Sequence, residues 1–194
     1  MKNDWGFPII KRCDLIPDWL IAYRRRPFTT GIGATHFFLD DFRFESIWSN
    51  PVVSIEHIKT SVVLSPDFSL YRDWPLALQI WNTYRNRWCG AFWQSRGLTV
   101  IPTVSWSGKM SYDFCFDAIE PGGVVAISTL GISGMAANHI FMVGFLEMKR
   151  RIKPSHILCY GNAPEGLAPT DKLISYPTFW EKKRSSWADV AHRV

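Results

Sequence analysis

The sequence predicts an α/β domain in which about five mostly parallel strands alternate with helices, arranged as an incomplete TIM-like barrel or an open sheet. Three observations lead there. Five apolar runs have the length of strands, two segments among them have helical spacing with recognisable ends, and the connections are long enough to bring the chain back for parallel pairing. The whole of residues 1–194 reads as one domain, with an N-terminal arm over 1–34, a core over 35–162 and a tail over 163–194.

The arm carries Trp5, Pro8, Pro17 and the cluster Arg24, Arg25, Arg26 ahead of Pro27, and reads as irregular chain or a short helix that stops at the proline. The first two runs are HFFLD (36–40) and SVVLS (61–65). They are apolar at successive positions, as a strand covered on both faces must be. A helix follows over PLALQIWNTYRNRWCGAFWQSRG, with Pro75 at its start, Gly97 just past its end, and Leu76, Ile80, Tyr84, Trp88 and Trp93 near one face. Two more strands, LTVIPTV (98–104) and GVVAIST (123–129), precede a second helix in ANHIFMVGFLEMKRRIKP. There Ile140, Val143, Leu146 and Ile152 recur at helical spacing, Lys149, Arg150 and Arg151 suit the negative end of the dipole, and Pro154 stops the helix. HILCY (156–160) is the fifth strand. In the tail, Trp180 and Trp187 are seven residues apart, which places them on nearly one face of a short docking helix beside Lys182, Lys183 and Arg184.

Composition narrows the function classes. No run reaches the roughly 18 apolar residues of a membrane helix, and MKNDWGFPIIKRCD lacks the apolar centre of a signal peptide, so the expectation is a cytoplasmic protein with no membrane partner. The four cysteines, Cys13, Cys89, Cys115 and Cys159, form no C-x-x-C pair and read as free buried thiols. None of the five histidines has metal-ligand spacing, and His36 reads as a buried core residue. The net charge of +5 suits a polyanionic partner without requiring one. Aromatic residues make up 15% of the chain, more ring surface than a core of this size uses, which puts some rings in a groove or on a contact surface.

In parallel α/β architectures ligands gather beyond the carboxyl ends of the strands. Those ends supply Asp40 and Asp41; Ser65, Asp67 and Ser69; Ser105 and Trp106; Thr129 and Gly131; and Tyr160, Gly161 and Asn162. Asp40, Asp41 and Asp67 are the candidates for acid and base, or for holding a divalent cation with water and a phosphate oxygen, although aspartates of this kind also close turns. No other cofactor and no dedicated metal site is expected. Ser65, Trp106, Thr129, Tyr160 and Asn162 are candidate ligand contacts. Arg85 and Arg87, set among the aromatics of the first helix, are candidates for phosphate contacts, or else solvated residues of an amphipathic helix. TLGISG (129–134) follows a strand and precedes a helix but matches no phosphate-loop pattern, and reads as a turn.

The stretches FFLDDFRFE, LSPDFSLY, QIWNTYRNRW, VIPTVSW, YDFCFDAI, VAISTLG and ILCYG, in that order, resemble the domain of unknown function 4417 family of bacteria and phages. The resemblance runs over most of residues 4–162. It implies a setting on phages and other mobile elements and brings no established chemistry. Asp67, Trp106, Asp113, Asp117 and Gly161 match its motifs, whereas Ala118 stands where the family pattern has glycine and TLGIS lacks a cysteine.

Three functions follow as expectations. The first is binding of a nucleotide, or sequestration of a nucleotide-derived signal, at the carboxyl edge of the strands. The second is an aspartate-dependent hydrolase of phosphodiester or glycosidic bonds. The third is a module for single-stranded nucleic acid or for a host protein.

Overall fold

A computed structural model describes residues 4–27, 29–163, 167, 172–181 and 183. Four of the five anticipated strands are present as β3 (Val62–Leu64), β4 (Thr99–Ile101), β5 (Val125–Ser128) and β6 (Ile157–Tyr160), whereas the first is displaced: β2 (Gly33–His36) shares only His36 with the expected run 36–40, because the parallel pairing with β1 ends at His36. Two more join them: β1 (Trp19–Ala22) inside the segment read as an arm, and β7 (Leu173–Tyr176) inside the segment read as a tail. Each is four residues long, no shorter than the other five.

The strands pair in parallel as two sheets, β1-β2-β3-β4 and β5-β6-β7. A bridge between Thr103 and Ala126 joins them, with Val104 N–H donating to the Ala126 carbonyl at 2.8 Å and Ala126 N–H donating to the Pro102 carbonyl at 2.9 Å. The strands therefore lie side by side in chain order. One buried cluster takes side chains from all seven: Leu20, Ala34, Val62 and Leu64, Ile101, Ala126, Leu158 and Tyr160, and Tyr176. Residues from outer strands meet only if the sheet curls, so the architecture is an incomplete barrel. Among the described residues no strand pairing closes β7 onto β1; across that gap the Tyr176 hydroxyl donates to the carbonyl of Pro17.

Alternation along the strands explains why they are apolar throughout. Val62 and Leu64 point inward while Val63 joins an outer cluster with Phe37, Val100, Cys89 and Trp93. Leu158 points inward while Ile157 and Cys159 pack with Phe145, Met148 and Ile152. The outer layers are supplied by α3 (Leu76–Ser95) and α4 (Gly134–Ile152); the short helices α1 (Ser46–Ser49) and α2 (Pro51–Ser54) lie between β2 and β3. Gly97 ends α3 at φ 86°, and Lys153 ends α4 in the left-handed region ahead of Pro154. The N-terminal segment is integral to the fold, since Ile10 is fully buried and bridges to Ile119.

The orientation of α3 departs from expectation. Its buried face is largely polar, with Gln79, Asn82, Thr83, Arg85, Asn86 and Arg87 all enclosed alongside Cys89, Gly90 and Trp93. Leu76 is exposed, and Ile80, Tyr84 and Trp88 are only half-buried. The reason is that α3 packs against loop backbone as well as apolar strand surface, and loop carbonyls need donors. All four cysteines are free and buried. Burial raises the thiols of Cys115 to about 12 and Cys159 to about 11. Among the described residues no helix is long and apolar enough to cross a membrane.

Candidate functional site

The carboxyl ends of the strands open into a cavity of about 1290 Å³. Its wall takes residues from the chain after β1 (Arg25, Arg26), β2 (Asp40, Arg43), β3 (Asp67, Tyr71), β4 (Ser105, Trp106), β5 (Leu130, Ile132) and β7 (Thr178, Phe179, Trp180, Lys183), with His36, Phe38 and Tyr160 also on it. That volume exceeds the roughly 300–1,000 Å³ of a drug-sized pocket, leaving room for a ligand of nucleotide size or larger.

The loops that carry Asp67 and Ser105 are fixed by the polar face of α3. Asn86 Nδ2 donates to the carbonyl of Pro66 at 2.6 Å and lies 3.3 Å from that of Thr103, joining the chain before Asp67 to the chain after β4. Asn82 Nδ2 donates to the Ser69 carbonyl at 2.7 Å, and Ser107 Oγ donates to Gln79 Oε1 at 2.5 Å. Trp106 is seated by close approach to α4. A Cβ on Gly144 would lie 2.1 Å from Trp106 Nε1, so only glycine lets the ring rest there, 5.0 Å from the Phe141 ring.

Asp67 lines the cavity. Burial, reinforced by the nearby Asp41 carboxylate, raises its carboxyl to about 7, against an opposing hydrogen bond from Ser105. It therefore exchanges a proton near neutrality. Among the described residues no group of three or more His, Cys, Asp or Glu side chains is placed to hold a metal ion.

Of the residues expected from the sequence, the structure brings Asp40, Asp67, Trp106 and Tyr160 to the cavity wall. Asp41 is not among the wall residues and accepts from Ser69 N–H at 3.1 Å and Ser69 Oγ at 2.9 Å, which ties the chain after β2 to the chain after β3. Ser65 is fully buried, donating to Asn86 Oδ1 and accepting from Thr103 N–H. Thr129 Oγ1 lies 3.4 Å from the Tyr160 carbonyl against Gly161, and Asn162 is exposed, donating to Glu181 Oε1 at 2.8 Å.

Arg85 and Arg87 are not brought to the cavity. Arg85 pairs with the Glu45 carboxylate at 2.8 and 2.9 Å, donates to Asn82 Oδ1 at 2.6 Å and lies 3.8 Å over the Phe68 ring. Arg87, 2% exposed, donates to the carbonyls of Asp117 at 2.9 Å and Cys115 at 2.6 Å and to Asn86 Oδ1 at 2.5 Å. Each of its three guanidinium nitrogens donates, and burial lowers it to about 10, so it stays charged at neutral pH.

The cations at the cavity are instead Arg25, Arg26, Arg43 and Lys183. A turn with Arg25 N–H bonded to the Ala22 carbonyl and Arg24 at φ 64° delivers the first two. The signal was present: DWLIAYRRR runs an apolar stretch into arginines, and taking it as a strand adds them to the strand-end residues. Phe179 and Trp180 belong to a helical turn after β7. A capping box holds that turn, with Thr178 N–H donating to Glu181 Oε2 at 2.7 Å and Glu181 N–H donating to Thr178 Oγ1 at 3.2 Å. Trp187, Lys182 and Arg184, expected on the same helix, lie outside the described residues.

Residues 1–177 match the family described as Domain of unknown function (DUF4417). The chain belongs to the DUF4417 family. It is similar to the "Gene 1 protein" of Mycobacterium phage L5, 41% identical over 190 residues that cover 94% of this chain and 83% of that protein. It is also 41% identical over 182 residues to the "Gene 1 protein" of Mycobacterium phage D29, covering 89% of this chain and 65% of that one. No solved structure matches. Ala118 takes φ 58°, the left-handed region that glycine occupies without strain.

Proposed function

We propose that this member of the DUF4417 family binds a nucleotide in the cavity at the carboxyl ends of its parallel strands. The observation that carries the reading is the lining of that cavity, which combines aromatic rings with arginines. Trp106, Tyr71, Phe179 and Trp180 supply flat apolar surface, and Arg25, Arg26 and Arg43 supply charge. Rings suit a base and guanidiniums suit phosphate oxygens. A small ligand is favoured over an extended strand, because Arg85 and Arg87, on which a strand groove would rest, are enclosed within the protein. Phage relatives fit sequestration of a host nucleotide signal as the biological use. Thermal stabilisation across a panel of nucleotides and cyclic nucleotides tests this: a true ligand at 100 times its Kd adds about 2.7 kcal/mol, and a flat response to every member would sink the reading.

A second reading rests on Asp67. A carboxyl that titrates at about 7 is matched to general acid or base work at neutral pH, which suits hydrolysis of a phosphodiester. Recovery of the bound nucleotide separates the two, intact for a binder and cleaved for a hydrolase.

A further inference from the structure

The cavity wall is segregated by charge around the strand order. Arg25 and Arg26 follow β1 and Arg43 follows β2, while Lys183 follows β7, so the cationic arc spans one side of the incomplete barrel. Asp67 and Ser105 follow β3 and β4, and Trp106, Ile132 and Phe141 make the apolar wall over β4 and β5. Among the described residues Asp40 is the one carboxylate of the wall on the cationic side, and it is exposed.

None of the three arginines makes an ion pair or a side-chain hydrogen bond with a described residue, in contrast to Arg24, which donates to Ser46 Oγ at 3.1 Å. Each guanidinium presents paired donors that engage two oxygens at once. Three guanidiniums carry three positive charges, more than the roughly −1.5 to −2 of a single terminal phosphate at pH 7 balances.

We propose that the ligand spans the cavity with a fixed polarity, its ring against Trp106 and Phe141 beside Asp67 and Ser105 and a chain of two or more phosphates over Arg25, Arg26 and Arg43. This rests on the nucleotide reading above and narrows it to nucleoside diphosphates, triphosphates and other ligands with linked phosphates, in preference to monophosphates and free nucleosides.

Isothermal titration of the full chain with adenosine, guanosine, cytidine and uridine, each free and as its 5′-mono-, di- and triphosphate, with pyrophosphate alongside, tests the assignment. For the preferred base, affinity is expected to rise about tenfold from mono- to diphosphate. The double variant Arg25→Ala/Arg26→Ala, altered at exposed positions, is expected to erase that rise while leaving affinity for the free nucleoside unchanged. Ser105→Ala is expected to weaken all phosphorylated forms of that base by the same factor. Equal affinity for mono-, di- and triphosphate, or a rise that survives in the double variant, overturns the polarity while the nucleotide reading stands. Failure of every nucleoside and nucleotide to bind overturns both.

Discussion

Phe38, two residues past β2, stacks on Tyr160, the last residue of β6, with ring centroids 4.9 Å apart and planes 16° from parallel. These strands are not neighbours in either sheet, so the stack crosses the interior of the barrel and forms part of the cavity wall. The Tyr160 hydroxyl also accepts from Phe179 N–H at 3.1 Å, tying the wall to the turn that carries Phe179 and Trp180.

Tyr160→Phe keeps the stack and removes only that acceptor. Global stability is expected to change by no more than about 1 kcal/mol, the net worth of one hydrogen bond. Amide exchange at Phe179 is expected to speed up selectively. Unchanged protection at Phe179 would mean that the capping box alone holds the turn.

Arg87→Lys tests the interior role of the arginines. A lysine ammonium keeps the charge but cannot serve the Asp117 and Cys115 carbonyls and Asn86 Oδ1 in the fixed fork geometry. Orphaned buried acceptors cost about 1–3 kcal/mol each, so a loss of about 3 kcal/mol in urea unfolding is expected at constant slope. A loss below about 1 kcal/mol would show that the site tolerates a point charge.

Asp67 gives stability a pH signature. The folded chain holds its proton up to about 7, against an ordinary value of 3.8, so the folded state binds more protons between those limits. Stability therefore falls as pH rises through that window and levels off above about 7. Asp67→Asn cannot ionise and is expected to lose this fall, with its advantage growing from about pH 4 to 7 to an order of a few kcal/mol. Parallel stability profiles for the two proteins would show that Asp67 ionises as freely in the fold as outside it.

At position 118, the left-handed backbone limits what can stand there. Ala118→Gly relieves strain but adds freedom to the unfolded chain and removes a buried methyl, so stability is expected to stay within about 1 kcal/mol. Ala118→Val combines a β-branched side chain with φ 58° at a position 2% exposed, and a loss above about 2 kcal/mol is expected. Thermal unfolding of the pair checks the contrast; equal behaviour would place the strain elsewhere.

The sequence by itself determined the α/β class, four of the seven strands, both long helices and the stops at Gly97 and Pro154, because these depend on local periodicity and backbone preference. It also pointed to the strand ends, and so to Asp40, Asp67, Trp106 and Tyr160. The tertiary structure decided that β1 and β7 are strands, through their parallel register with β2 and β6, and that β2 runs from Gly33 to His36. With β1 came Arg25 and Arg26 at the cavity. It decided as well that Arg85 and Arg87 turn inward. A helical arginine faces solvent or interior according to which acceptors lie opposite, and the carbonyls of Cys115 and Asp117 are 28 and 30 residues away in the chain. Local pattern carries no record of partners that distant; packing brings them within 3 Å, and the cost of leaving buried acceptors unpaired fixes the outcome.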